Sequence, residues 1–72
     1  MSDYELPTIT VTFEPVGGTQ TLPRAKTVRQ LLNRLNIRQG TALVIRDGGL
    51  LTHDREILAN DAIIIRTVVS SG

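Results

Sequence analysis

Cysteine and tryptophan are absent from these 72 residues, phenylalanine and tyrosine occur once each, and the net charge is only +1. Without cysteine there is no disulfide framework, no thiolate zinc site and no thiol nucleophile, and the expected compartment is the cytoplasm. Long apolar runs are missing too. The longest, Ala62–Ile65 and Ala42–Ile45, fall far short of the roughly 20 residues that cross a bilayer. The opening Met1-Ser2-Asp3-Tyr4-Glu5 is acidic, unlike a signal peptide, so neither membrane insertion nor targeting is expected. A chain this short buries only about 60% of its unfolded surface, which leaves no room for a deep substrate cavity with a lid. The expectation is one small domain that is not an enzyme.

What is present reads as alternating extended runs around a single helix. Thr8-Ile9-Thr10-Val11-Thr12-Phe13 alternates polar and apolar residues, the period of a strand with one buried face. Pro15-Val16-Gly17-Gly18 then gives way to Thr19-Gln20-Thr21-Leu22, predicting a hairpin whose second strand ends at Pro23. Thr27-Val28-Arg29-Gln30 has the form of a capping box. Val28, Leu31, Leu32 and Leu35 follow at i, i+3, i+4 and i+7, one apolar stripe, and Gly40 is the expected stop. Ala42–Ile45 reads as a strand closed by Asp47-Gly48-Gly49, with Leu50-Leu51 adding a short strand after the turn. Residues 52–59 read as a poorly structured surface connection with one helical turn, and Asn60-Asp61 as a turn. Ala62–Val69 is the most β-prone run and belongs in the middle of a sheet.

This order predicts an α+β fold of the β-grasp type: a mixed sheet of four to five strands covered by one helix, with the first and last strands parallel at its centre. The domain is expected over residues 1–69, and residues 70–72 as a flexible tail. The core is expected from Ile9, Val11, Phe13, Val28, Leu31, Leu32, Leu35, Leu43, Ile45, Leu51, Leu58, Ile63 and Ile65.

No catalytic set emerges. His53 stands beside Asp54 and Glu56, but a metal site needs more ligands than this stretch offers, so no metal and no bound cofactor are expected. Gly17-Gly18 and Gly48-Gly49 lack the spacing and the lysine of a phosphate loop. Between Pro15 and Arg46 there is no acidic residue, while Arg24, Lys26, Arg29, Arg34, Arg38 and Arg46 all fall there. Such a basic side reads as a solvated helix face or a docking face for an acidic partner ahead of nucleic acid, since the scarcity of aromatics removes stacking platforms for single strands. If Ile63 and Ile65 point inward, Ile64, Arg66 and Val68 face the uncovered side of the sheet. Val44 and Arg46 extend that strip if Leu43 and Ile45 are the inward pair. An exposed apolar strip of this kind marks partner docking. Finally, Gly72 follows Ser70 and Ser71, small residues that let a tail extend, and a glycine carboxylate is unobstructed for acyl chemistry.

Taken together, Thr27–Leu32, Val44–Gly48, Leu58–Ile63 and the small-residue end at Gly72 resemble the sulfur-carrier proteins of the ubiquitin-like superfamily. That group includes the thiamine-biosynthesis sulfur carrier and the small subunit of molybdopterin synthase. Two positions depart from its pattern. Ser71 stands where a second glycine is usual, and Asn60 stands where glycine commonly precedes the aspartate. Asparagine tolerates left-handed backbone angles and should make the same turn. The resemblance implies a monomeric carrier whose Gly72 carboxylate is adenylated by a ubiquitin-activating-type enzyme using ATP, then converted to a thiocarboxylate. The sulfur would pass to an acceptor enzyme, with thiamine thiazole assembly ahead of tRNA thiolation and molybdopterin as the destination. Ser70 and Ser71 would be the spacer, and Val44, Arg46, Ile64, Arg66 and Val68 the docking strip. The alternatives are a ubiquitin-like interaction module that is never activated, and a small RNA-binding β-grasp domain.

Overall fold

Seven residues from Thr8 to Glu14 form β1 and Thr19–Pro23 form β2, in a computed structural model that describes residues 7–38 and 40–68. The two strands pair antiparallel, with Thr12 opposite Thr19 and Thr8 opposite Pro23. Gly17 (φ 88°) and Gly18 (φ 103°) take backbone angles that a side chain disfavours, which is why a glycine pair closes this hairpin. Helix α1 covers Val28–Arg34, β3 Ala42–Arg46, β4 Gly49–Leu50 and β5 Ala62–Thr67. The five strands form one mixed sheet in the order β2-β1-β5-β3-β4. Strand β5 runs parallel to β1 and antiparallel to β3, so the last strand sits at the centre, as its β-branched composition predicts.

Thr27 caps α1, its hydroxyl accepting from the Gln30 amide at 3.2 Å. The Gln30 side chain accepts from the Lys26 amide at 2.7 Å, one residue earlier than the reciprocal bond of a standard capping box. The helix ends well before Gly40. Asn36 takes φ 60°, its amide reaches the Asn33 carbonyl, and the Ile37 amide reaches the Leu32 carbonyl at 2.9 Å. These two bonds are the Schellman pattern, which satisfies the last carbonyls and stops the helix.

Strands β3 and β4 are joined by Asp47 (φ 53°) and Gly48 (φ 78°), a two-residue loop with both positions left-handed. That is the hairpin an Asp-Gly pair favours, and it starts β4 one residue earlier than the Leu50-Leu51 expectation.

The core lies between α1 and one face of the sheet. Ile9 and Val11 of β1, Val28, Leu31 and Leu32 of α1, Val44 of β3, and Ile63 and Ile65 of β5 are buried, together with Ala25 and Ile57. Phe13, Leu22, Leu35, Ile37, Ala42 and Leu51 pack around them, half-buried. Three expected core residues lie outside: Leu43 is 40% exposed, Leu58 53%, and Ile45 shares the outward parity of Leu43, half-buried. Val44 and Ile57 take their places. In β3 the register sets Val44 opposite the buried Ile65 and Leu43 opposite the exposed Arg66, so the sheet's two-residue period fixes which of them points in.

The connection 52–59 contains no helical turn and is not loosely held. It lies across the start of α1, where the carbonyls of Arg55 and His53 accept from the Val28 and Arg29 amides at 3.1 and 3.0 Å. The Ile57 amide donates to the Lys26 carbonyl at 2.9 Å, and Thr27 bridges to Glu56. Helix donors that have no intrahelical partner are thus met by this segment, which anchors it and drives Ile57 inward.

Candidate functional site

Among the described residues, nothing covers the face of the sheet turned away from α1. Alternation along β5 directs Ile63 and Ile65 to the core and Ala62, Ile64 and Arg66 to this outer face. Val68 continues the same parity just past the strand, its amide held by the Thr41 carbonyl at 2.9 Å, and stays 49% exposed. On β3 the outward pair is Leu43 and Ile45, opposite Arg66 and Ile64 respectively, and Leu50 of β4 stands opposite Ile45. Ile64, Ile45 and Leu50 therefore form one row across three strands, with Leu43 in the next row.

Of the strip expected from sequence, Ile64, Arg66 and Val68 share this face. Val44 and Arg46 do not. Val44 is 3% exposed beneath α1. Arg46 follows the same inward parity to the sheet margin, where its Nη1 donates to Asp61 Oδ2 at 2.7 Å and to the Glu56 carbonyl at 3.3 Å. Leu43, Ile45 and Leu50 are the residues that sequence reasoning missed. The run Ala42–Ile45 is apolar throughout and carries no alternation from which the outward pair could be read.

The remainder of the face is polar. Arg66 holds Glu14 Oε1 through Nη2 at 2.8 Å and Nε at 3.1 Å. Beyond this pair, Thr8, Thr10 and Thr12 of β1 stand beside Thr19 and Thr21 of β2, and the hydroxyls of Thr12 and Thr19 are 3.3 Å apart. The face is thus divided into an apolar half on β5-β3-β4 and a hydroxyl half on β1-β2, with the ion pair between them.

Asp61 organises the entry to β5. Its Oδ2 accepts from Arg46 and from the Leu58 amide (2.8 Å), and its carbonyl accepts from the Thr10 amide at 2.9 Å. Asn60 takes φ 68° and donates its amide to the Thr8 carbonyl at 2.7 Å, so asparagine makes the left-handed turn.

Gly72, Ser70 and Ser71 lie outside the described residues. His53 is exposed in the connection before Ile57. The neighbouring Asp54 carboxyl is held below the ordinary aspartate range, chiefly by the Thr52 hydroxyl donating to it at 2.6 Å and next by its own backbone amide. Among the described residues no three metal-ligating side chains gather. No helix there is long and apolar enough to cross a membrane. An open groove of about 350 Å³ lies at the β1-β2 hairpin end, lined by Phe13, Glu14, Val16, Gly17, Gln20 and Thr67. Arg24, Lys26, Arg29, Arg34 and Arg38 enter no ion pair among the described residues, whereas Arg46, the sixth cation of the basic stretch, is matched by Asp61. No protein-family model matches the chain, and neither does any curated protein.

Proposed function

We propose that this chain is a sulfur carrier with a β-grasp fold, activated at Gly72 and docked on its enzymes by the outer sheet face. The observation that carries this reading is the juxtaposition at β5. Strand β5 ends at Thr67, and Val68 just past it, four residues before Gly72, lies on the same face as the apolar row Ile64–Ile45–Leu50. A partner that covers this row would lie beside the start of the tail. The strand order, with parallel central β1 and β5 and one helix on the opposite face, supports the fold assignment.

The chemistry follows from the weakness of a carboxylate as an acyl donor. A Gly72 carboxylate oxygen attacks the α-phosphorus of ATP and pyrophosphate leaves, giving an acyl adenylate. A sulfide equivalent then attacks the acyl carbon, the C–O bond to AMP breaks with its electron pair, and a thiocarboxylate remains. The folded body contributes no catalytic group; it presents the tail and the docking face. The adenylating enzyme supplies the ATP site and the acceptor enzyme the sulfur acceptor.

Intact-mass measurement of the protein after incubation with ATP and extract of its own cells tests this. The expected result is a gain equal to the difference between a sulfur and an oxygen atom, with alkylation of this cysteine-free chain at Gly72. Deleting Gly72, or adding one residue after it, should abolish the gain. An unmodified carboxylate in sulfur-replete extract would overturn the reading. It would favour the second one, an interaction module that is never activated, because the apolar face is complete within residues 43–68. RNA binding draws least support: Phe13, the one aromatic among the described residues, is half-buried against the core.

A further inference from the structure

The sheet has two edges, and they are built differently. Strand β4 is two residues long, a short edge of the kind that resists further pairing. Strand β2 is five residues long, with Thr19, Gln20, Thr21 and Pro23 exposed and no charge of its own. Its free groups can be assigned from the ladder. The Phe13 amide donates to the Gly18 carbonyl and the Arg24 amide to the Pro7 carbonyl, each at 2.9 Å. In antiparallel pairing the hydrogen-bonded pairs alternate with pairs that point away from each other. Gln20 and Leu22 therefore face β1, while the backbone groups of Thr19, Thr21 and Pro23 face outward. The carbonyl of Pro23 confirms this parity: it accepts from Arg34 Nη1 at 2.7 Å, from outside the sheet. Among the described residues, Thr19 and Thr21 are left with an amide and a carbonyl each on the open edge.

A second observation says what would fit there. The bond to Pro23 sets the Arg34 guanidinium at one end of this edge, next to Arg24, and a guanidinium keeps further N–H donors after one is used. Neither arginine meets a carboxylate among the described residues, and the sequence is without acidic residues from Pro15 to Arg46. Pairing groups that demand an extended chain thus adjoin cations that demand carboxylates. Phosphate would satisfy the arginines but would leave the strand edge unused.

We propose that the free edge of β2 docks an extended, acidic segment of a partner protein. The segment would add as a sixth strand through Thr19 and Thr21 and set carboxylates against Arg24 and Arg34. This site lies at the sheet edge remote from the Ile64–Ile45–Leu50 row, so one molecule could engage two partners at once.

The test is an NMR titration of the full-length protein with the peptide Glu-Asp-Thr-Val-Thr-Val-Thr-Asp-Glu. The Thr19, Thr21, Arg24 and Arg34 amides should shift saturably, and exchange of the Thr19 and Thr21 amides should slow. Affinity should fall by about tenfold or more in an Arg24→Glu/Arg34→Glu variant, the scale of losing a charged hydrogen bond. Unchanged Ile63 and Ile65 signals would confirm that this variant is folded. The same peptide with lysines at its ends, or with proline for the central threonine, should bind at least as much more weakly, and neither control alters the protein. Several outcomes would overturn the proposal: no saturation at millimolar peptide, equal binding of the lysine peptide, or shifts centred on Ile45, Leu50 and Ile64. A uridine oligonucleotide moving the Arg24 and Arg34 amides at lower concentration than the peptide would likewise assign the surface to nucleic acid.

Discussion

Asp61 is the side chain on which the geometry around β5 converges, because one carboxylate serves Arg46, the Leu58 amide and, through its backbone, the register of β1. Replacing it by alanine leaves a guanidinium that is only 20% exposed and an amide without their acceptor, and should cost about 1–3 kcal/mol in urea unfolding. The neighbouring pairs of apolar residues give a sharper contrast. Ile57→Ala should cost about 2–5 kcal/mol, whereas Leu58→Ala and Leu43→Ala should stay within about 0.5 kcal/mol. Equal losses at Ile57 and Leu58 would contradict the burial described above. Sequence could not separate these neighbours: Ile57-Leu58 is too short to show a period, and Ile57 is chosen by a bond to Lys26, some thirty residues away. Val44 and Leu43 were inverted for a related reason, since only the pairing of β3 with β5 breaks their symmetry. Ile63 and Ile65, by contrast, were legible as inward residues and are buried. Asp54 supplies a pH test. Its titration, followed by NMR, should lie below the ordinary value of 3.8 and return toward it in Thr52→Ala. Since the folded-state value is the depressed one, whatever stability this bond adds is present above the unfolded value and is lost as pH falls through the folded one.

At the scale of the element, a helix of seven residues cannot stand on propensity and depends on its ends. Thr27→Ala should destabilise the protein by about 1 kcal/mol, with Thr27→Ser largely restoring it, as measured by thermal unfolding. Asn36→Gly should be neutral or stabilising, while Asn36→Ala should cost about 1 kcal/mol, because φ 60° burdens a Cβ that has no compensating side-chain bond. The start of this helix was readable, since a hydroxyl three residues before a glutamine announces a cap. The end was not: Asn36 and Gly40 both tolerate left-handed angles, both adopt them, and only the Ile37–Leu32 bond shows which one closes the helix. The order of the 52–59 connection is not legible in the sequence because its anchors are backbone carbonyls. Any sequence carries those, so His53 and Arg55 contribute through groups that their side chains do not reveal.

For the molecule as a whole, the helix side carries the core, and among the described residues the opposite face is left uncovered. An Ile45→Lys/Leu50→Lys variant should keep the fold, judged by an unfolding free energy within about 1 kcal/mol of the parent's, yet lose thiocarboxylate formation in the mass assay. Retention of the mass gain would move the docking surface elsewhere. The sheet order has a further consequence. Strands β1 and β3 are not hydrogen-bonded to each other; each is paired only with its hairpin partner and with β5. Both hairpins therefore precede in the chain the strand that joins them. Until Ala62–Thr67 pairs, Val11 and Val44 belong to unpaired strand edges. The sheet cannot be completed before this non-local pairing forms, and the two hairpins offer open strand edges to other chains until it does.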